Sequence, residues 1–230
     1  MPHKLGGGGE GIISRTASGL SLDFPLGDPA VYFAGTEDGT VHKCSWSYNE
    51  QYLETYFGHT GPVYKVQCSP FLHDIFLTCS ADWTVKMWNQ KEDTPVFSFQ
   101  STDLADEVYD IAWSPSCSTI FGAVSADGRV EVWDLSQSTL DPVITRFIDP
   151  SVPGQDLAAP LAPAASAVGG AKPKFTCLAF ARNAPVLVVG DNRGVVDTYR
   201  IAGLDSLLQS HEGMDTDAQV AKLADAISAK

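Results

Sequence analysis

A phrase that recurs along the chain constrains the fold more than any other feature of the sequence. Each copy joins a turn of small and acidic residues to a short strand, as in Ser80-Ala-Asp-Trp-Thr-Val-Lys-Met-Trp88 and Ser125-Ala-Asp-Gly-Arg-Val-Glu-Val-Trp133. Looser copies begin at Gly35 and Gly190. The valines that align in the four copies are 44, 45 and 66 residues apart: Val41, Val85, Val130 and Val196. Such a period is typical of repeat proteins, in which each copy is one supersecondary unit.

Each copy has the composition of β-structure. Short stretches rich in β-branched and aromatic residues, such as 75–79 and 120–124, are bounded by turn residues. Asp38-Gly39 and Asp127-Gly128 are typical of tight hairpins, because glycine accepts a positive φ. About four strands per ~40–45 residues, one of them ending in Trp-Asp, is the signature of a WD40 blade. The sequence therefore predicts an all-β fold: about four WD40 β-propeller blades, a partial propeller, and a short C-terminal helix.

The repeats divide the chain into three parts. We expect an N-terminal tail at 1–18, the WD40 blades at 19–202 and a C-terminal tail with an amphipathic helix at 203–230. The longer third interval places a loop insertion rich in Pro, Ala and Gly at 149–174.

The predicted helix begins at a capping box. Thr216 is the expected N-cap, with the Gln219 side chain reaching back to it. One face of the helix then carries apolar side chains, which are Val220, Leu223, Ala224 and Ile227. This face would pack on the propeller or on a partner.

Composition argues against several classes of partner. The chain has 15 basic and 28 acidic residues, a net charge of −13, which disfavours binding to nucleic acid and other polyanions. Its apolar runs are shorter than the ~18 residues that span a bilayer, so we expect no membrane insertion. The five cysteines include no C-x-x-C pair, which indicates reduced thiols rather than a disulfide framework or a zinc site.

The sequence carries no enzyme signature, and we expect no catalytic residues and no cofactor. Phosphate-loop, zinc-protease and nucleophile-elbow motifs are all missing. In WD repeats, the His of a Gly-His pair is linked through Ser or Thr to the turn Asp and the strand Trp. The residues expected in this structural network are His59, Thr78 or Ser80, Asp82 and Trp88. A Ser-His-Asp catalytic interpretation fails because such a network lies inside the blade.

Trp83 stands where two other copies have Gly39 and Gly128. A large aromatic residue at this turn is either packed on a neighbouring loop or an exposed anchor for a partner. The turn positions make Asp82, Trp83, Asp127 and Arg129 our candidates for partner binding.

Several of these phrases resemble one family. The stretch from Ala34-Gly-Thr-Glu-Asp-Gly39 to Ser80-Ala-Asp-Trp-Thr-Val-Lys86 resembles the WD-repeat domain of axonemal dynein intermediate chains. The phrase His42-Lys-Cys-Ser-Trp-Ser-Tyr-Asn-Glu-Gln-Tyr52 looks most like the intermediate chain of the two-headed inner arm, dynein f. The resemblance covers about residues 20–200.

The resemblance implies a non-catalytic scaffold in the axoneme of cilia or flagella, a cytoskeletal structure reached from the cytoplasm. Members of the family seat their propeller on the tail of a dynein heavy chain, beside a second intermediate chain. An extended N-terminal region, which we expect this chain to lack, collects light chains. The repeats alone would equally allow a WD40 adaptor unrelated to dynein.

The number of repeats departs from the family. A propeller of this family needs more than four blades to close, and an open arc leaves sheet faces uncovered. We therefore expect the sequence to be a C-terminal fragment, or a truncated version, of a longer protein, and the isolated chain to be poorly soluble.

Overall fold

The computed structural model describes residues 17–48, 50–101, 103, 106–147, 174–182, 184–201 and 215–228. Most of the predicted tails and loop lies outside the described residues: 1–16 of the N-terminal tail, 149–173 of the loop insertion at 149–174, and 203–214 of the C-terminal tail before the helix. The three-part division of the chain accordingly stays a prediction.

Fifteen strands and one helix make up the described part of the chain. The strands are β1 (Gly19–Asp23), β2 (Val31–Thr36), β3 (Thr40–Ser45), β4 (Glu54–Phe57), β5 (Val63–Cys68), β6 (Ile75–Ser80), β7 (Val85–Asn89), β8 (Pro95–Phe99), β9 (Val108–Trp113), β10 (Ile120–Ser125), β11 (Arg129–Asp134), β12 (Ile144–Phe147), β13 (Phe175–Phe180), β14 (Val186–Asp191) and β15 (Val196–Arg200). The helix is α1 (Thr216–Ser228). No helix in these ranges is long and apolar enough to cross a membrane.

The strands form four separate antiparallel sheets, which are the blades. Blade 1 contains β1–β4, blade 2 contains β5–β8, and blade 3 contains β9–β12, each with strands paired in chain order. Blade 4 contains β13–β15. The first strands of consecutive blades lie side by side, β1 next to β5, β5 next to β9 and β9 next to β13. The predicted all-β partial propeller with a C-terminal helix is therefore confirmed.

The core lies between the blades, since each sheet packs on the next. One cluster joins blades 1 and 2 and contains Phe33, Phe76 and Trp88. A second joins blades 2 and 3, and a third joins blades 3 and 4. Burying aromatic and branched side chains between sheets is the main favourable contribution that holds consecutive blades together.

Side chains on the inner strands also tie consecutive blades together. Asp23 accepts a hydrogen bond from the backbone N–H of Cys68 at 2.6 Å, and Gln67 accepts one from Trp113 N–H at 2.9 Å. Asp110 accepts one from the N–H of Leu178 at 2.8 Å. The first strand of each blade is an edge of its sheet, so some of its backbone N–H groups have no partner within the blade. The side chains of the preceding blade accept hydrogen bonds from these N–H groups, which would otherwise be left without a partner at the junction.

The C-terminal helix forms as predicted, but its docking differs from the prediction. Gln219 does not cap the helix: its Oε1 accepts a bond from Ser118 N–H at 3.0 Å, and its Nε2 donates to the Ser116 carbonyl at 3.1 Å. Asp215, rather than Thr216, stands at the N-cap, because its carbonyl accepts the first helical hydrogen bond, from Gln219 N–H at 3.1 Å.

The buried face of α1 is rotated relative to the predicted one. Leu223 inserts between blades 2 and 3, while Ala226 and Ile227 pack beside it. Ala224, which was expected on the buried face, is exposed. The hydrogen bonds of Gln219 determine which face of the helix is buried. Burying an amide without hydrogen-bond partners costs more free energy than leaving a small apolar side chain such as Ala224 exposed.

Candidate interaction site

A buried chain of hydrogen bonds crosses blade 2. His59 Nδ1 lies 2.9 Å from Asp82 Oδ2, and His59 Nε2 lies 2.7 Å from Thr78 Oγ1. Trp88 Nε1 donates to the same Thr78 oxygen at 2.8 Å. Thr78 and Trp88 are fully buried, and His59 is buried. The structure thus brings together His59, Thr78, Asp82 and Trp88 and selects Thr78 as the residue in the middle.

One assignment of protons satisfies every atom of this chain. The Trp88 indole N–H donates to Thr78, the Thr78 hydroxyl donates to His59 Nε2, and the His59 Nδ1–H donates to Asp82. This requires a neutral imidazole, and burial does lower the pKa of His59. Burial alone would raise the pKa of Asp82, but hydrogen bonds from His59, Thr84 and the Thr60 N–H outweigh it and hold that pKa well below its usual range.

The order hydroxyl, imidazole, carboxylate is also that of a hydrolytic triad, so accessibility decides its role. A nucleophile must reach a substrate carbonyl, whereas the Thr78 hydroxyl is fully buried and already accepts the indole N–H. The network therefore serves to hold the Gly58–Thr60 segment onto the β6–β7 turn. Among the described residues, no group of three His, Cys, Asp or Glu side chains is placed to hold a metal ion.

Ser80 has a separate role at the same turn. Its hydroxyl donates to the Gly61 carbonyl at 2.9 Å and accepts from Asp82 N–H at 3.2 Å. Ser80 therefore positions Asp82 rather than linking it to Trp88.

Blade 3 fixes its tryptophan by different means. Its residue at the position of Thr78 is Ala123, and Trp133 Nε1 donates instead to Glu131 Oε2 at 3.3 Å. Ser101 and Arg129 also donate to Glu131, at 2.5 and 3.4 Å. Burial nevertheless raises the pKa of the Glu131 carboxyl. Our sequence reasoning missed Glu131, although a lone acidic residue between Val130 and Val132 was a usable signal.

Each blade has a tight turn between its second and third strands. These turns lie along one edge of the row of blades, which we call the turn edge; they contain Gly39, Trp83, Gly128 and Gly194. In each turn a backbone N–H bonds the carbonyl three residues earlier, as Trp83 does to Ser80 and Gly128 does to Ser125. Trp83 adopts a φ of 70°, close to the 81° of Gly39. Trp83 is the one non-glycine residue with positive φ among the described residues, and its side chain is 43% exposed.

The other candidates differ in accessibility. Asp82 is mostly buried in the His59 network, and Asp127 is partly exposed. Arg129 is buried, which corrects the expectation that its turn position would present it to a partner. Its guanidinium pairs with Asp127 and Glu131, donates to the Asp103 carbonyl at 3.0 Å and lies 4.8 Å from the centre of the Phe147 ring. Trp83 is therefore the largest accessible candidate at this edge.

Comparison with known proteins identifies the family. The sequence family described as "Dynein axonemal intermediate chain 3 WD40 domain" matches residues 29–152. Dynein axonemal intermediate chain 4 of Homo sapiens is 44% identical over 209 residues, which are 90% of this chain and 22% of the human protein. The same protein of Xenopus laevis is 46% identical over 80% of this chain and 22% of its own length. Dynein intermediate chain 2, ciliary, of Heliocidaris crassispina is 36% identical over 83% of this chain and 24% of its own.

This chain therefore spans about a fifth of the length of these relatives. The resemblance to axonemal dynein intermediate chains, inferred from the stretch 34–86, is confirmed, and the alternative of a WD40 protein unrelated to dynein is wrong. The chain belongs to the axonemal dynein intermediate chain family, and its residues 29–152 match the WD40 domain of that family.

Proposed function

We propose that the chain is part of a non-catalytic scaffold subunit of an axonemal dynein, and that its blades bind the tail of a dynein heavy chain to assemble the motor for ciliary or flagellar motility. In this proposal the subunit also meets a second intermediate chain, and light chains bind it through a region beyond this segment. The complex lies in the axoneme and is of the inner-arm type. Family membership supports the dynein complex, while the heavy chain as direct partner is our own proposal.

Trp83 is the observation that carries the proposal. A left-handed conformation costs a non-glycine residue about 1–2 kcal/mol, a cost that Gly39 and Gly128 avoid at the same turn. Favourable binding of a partner to this large, half-exposed indole would offset the cost of its strained backbone conformation. Tryptophan is one of the residue types enriched among interface hot spots, and a rigid turn holds it with little loss of entropy on binding.

The net charge of the chain fits a protein partner rather than the microtubule. The chain carries a net charge of −13. Because a microtubule surface is acidic, like charges would oppose direct binding to the track. A scaffold that binds the motor and leaves track binding to other subunits is consistent with this charge.

The test is Trp83→Gly in the full-length protein expressed in ciliated cells, followed by purification from detergent-extracted cilia and mass spectrometry. We expect the heavy chain recovered per intermediate chain to fall about tenfold or more, because a removed hot-spot tryptophan costs 2 kcal/mol or more, about 30-fold in affinity. Glycine suits the turn, so the variant should fold at least as stably as the wild type.

Trp46→Ala is the matched control, since it removes another strongly exposed tryptophan away from the turn edge. We expect normal heavy-chain recovery with it. Unchanged recovery with Trp83→Gly would contradict the role of Trp83, whereas a wild-type protein that recovers no dynein heavy chain would contradict the proposed function itself.

A further inference from the structure

Three partly exposed aromatic side chains lie on the turn edge of blades 2 and 3. Trp83 occupies the turn of blade 2, and Tyr64 and Tyr109 are the second residues of β5 and β9. Both strands begin at this edge, because the residue before each strand accepts a backbone hydrogen bond from the turn of the same blade. Blades 2 and 3 have a neighbouring blade on each side within this chain, so the exposure of these side chains does not come from a missing blade.

Glu107 joins the two tyrosines across the junction between blades 2 and 3. Its Oε2 accepts a hydrogen bond from Tyr64 Oη at 3.1 Å, and its side chain also bonds to Tyr109. The two tyrosine rings lie 5.2 Å apart. Asp106 precedes Glu107, and Asp38 stands in the turn of blade 1. In the described part of the chain, none of these three carboxylates pairs with a basic side chain.

Backbone contacts make the turns of blades 1 to 3 one continuous surface. A Cβ placed on Gly39 in the turn of blade 1 would lie 2.7 Å from the His59 carbonyl oxygen, and the His59 side chain bonds to Asp82 in the turn of blade 2. Toward blade 3, the Asp103 carbonyl accepts a hydrogen bond from Arg129 at 3.0 Å. The exposed tryptophan belongs to the middle turn of the three.

This surface is strongly acidic. The three turns, at 36–40, 81–84 and 126–129, and the described residues of the segments before β5 and β9, at 58–62 and 100–107, contain seven acidic residues and one arginine. Their formal charge is −6, nearly half of the −13 of the whole chain. The arginine is buried and already paired with two carboxylates, so it offers little positive charge to a partner.

We propose that the turn edge of blades 1 to 3 binds a basic stretch of the dynein heavy-chain tail, whose Lys or Arg side chains lie on Trp83 and face the carboxylates beside it. The inference rests on the proposed function, because it names the chemistry of the segment that Trp83 binds. The face of an aromatic ring attracts a cation, and an indole does so more strongly than the ring of tyrosine or phenylalanine. Carboxylates on the same surface select the same charge and repel acidic segments.

A purely apolar partner fits this surface less well. A segment that docks on Trp83 takes part of the surrounding surface out of water, and a carboxylate removed from water without a counter-charge costs free energy. Basic side chains supply the counter-charge, and their aliphatic stems can cover the indole at the same time.

The test removes the charge of three carboxylates and keeps their shape, in the full-length protein expressed in ciliated cells. The variant combines Asp38→Asn, Asp106→Asn and Glu107→Gln, whose amide oxygens can still accept the hydrogen bonds that Asp106 and Glu107 accept. The heavy chain recovered per intermediate chain from detergent-extracted cilia is measured by mass spectrometry over a series of salt concentrations. We expect recovery at low salt to fall about fivefold or more relative to the wild type. The difference should shrink as salt rises, because screening weakens the same attraction in the wild type.

The matched control makes the same change of charge away from the turn edge. It combines Glu92→Gln, Asp93→Asn and Asp141→Asn, three exposed acidic residues in the connections between the third and fourth strands of blades 2 and 3. We expect the control to recover as much heavy chain as the wild type at every salt concentration. Circular dichroism should show the same fold for both variants.

Two substitutions of Trp83 separate a cation from an apolar partner side chain. Trp83→Phe and Trp83→Leu both replace the indole by a smaller apolar side chain at the same turn, but only phenylalanine keeps a ring face that attracts a cation. We expect about twofold or more heavy chain with Trp83→Phe than with Trp83→Leu. Equal recovery with the two would overturn the contact between a cation and Trp83.

The results distinguish failure of this inference from failure of the proposed function. If the wild type recovers the heavy chain and the three-carboxylate variant recovers as much as the control, the basic partner segment is wrong and the proposed function stands. Higher recovery with the variant than with the wild type would also overturn the inference, because it would indicate an acidic partner. A wild type that recovers no heavy chain would contradict the proposed function and this inference with it.

Discussion

Thr78→Val is the sharpest perturbation of blade 2. Valine keeps the shape of threonine, so the variant opens no cavity, but it removes the hydroxyl shared by Trp88 Nε1 and His59 Nε2. Both partners are buried, and each polar group left unpaired costs about 1–3 kcal/mol. We therefore expect the free energy of unfolding to fall by about 2–6 kcal/mol.

The measurement is urea denaturation followed by circular dichroism, at a protein concentration where sedimentation shows one species. Thr94→Val, at an exposed threonine, is the matched control and should change the free energy of unfolding by less than about 0.5 kcal/mol. A Thr78→Val variant as stable as Thr94→Val would refute the network as a structural element. Adding Trp88→Phe should cost less in the Thr78→Val background than in the wild type, because the orphaned donor is then removed.

Two further changes probe pH dependence and the helix. Burial lowers the pKa of His59, so the contribution of neutral His59 to the free energy of unfolding is complete above the unfolded-state pKa of about 6.5. That contribution decreases as pH falls toward the native pKa, by up to about 1.4 kcal/mol per pH unit. Denaturation at several pH values should show that His59→Gln flattens this slope and that His73→Gln, at an exposed histidine, does not. Gln219→Ala leaves the buried Ser118 N–H without its partner and should lower stability by about 1–3 kcal/mol and expose α1 to limited proteolysis. Asp225→Ala, on the exposed side of the same helix, should leave the proteolysis pattern unchanged.

The blades could be predicted from sequence because their determinants are local. A hairpin turn such as Asp127-Gly128 and its flanking strands lie within one repeat, so a single motif predicts both. The period then places the members of the network, His59 and Trp88 included, at fixed offsets. Thr78 and Ser80 could not be separated in this way, since residues two apart on a strand point to the same face and the choice depends on which of them lies within reach of Trp88.

The features missed by sequence reasoning depend on contacts between distant segments. Arg129 is buried by a carbonyl of residue 103 and the ring of Phe147 on β12, which a turn motif does not encode. Gln219 matched a local capping box, yet its partners are Ser116 and Ser118, about a hundred positions earlier. A long-range amide bond prevailed over a local cap because the tertiary contact is buried and the cap is exposed to water.

The docking of α1 sets an order of folding. Hairpins within a blade close short loops, whereas the contact between Gln219 and Ser118 closes a loop of 101 positions. Non-local contacts form late, because the entropy of loop closure is lost before the contact stabilises it. During synthesis, blades 2 and 3 are complete well before the helix emerges. Undocking of α1 should then be the lowest-energy partial opening, so its amide hydrogens should exchange with solvent earlier than those of β6 and β10.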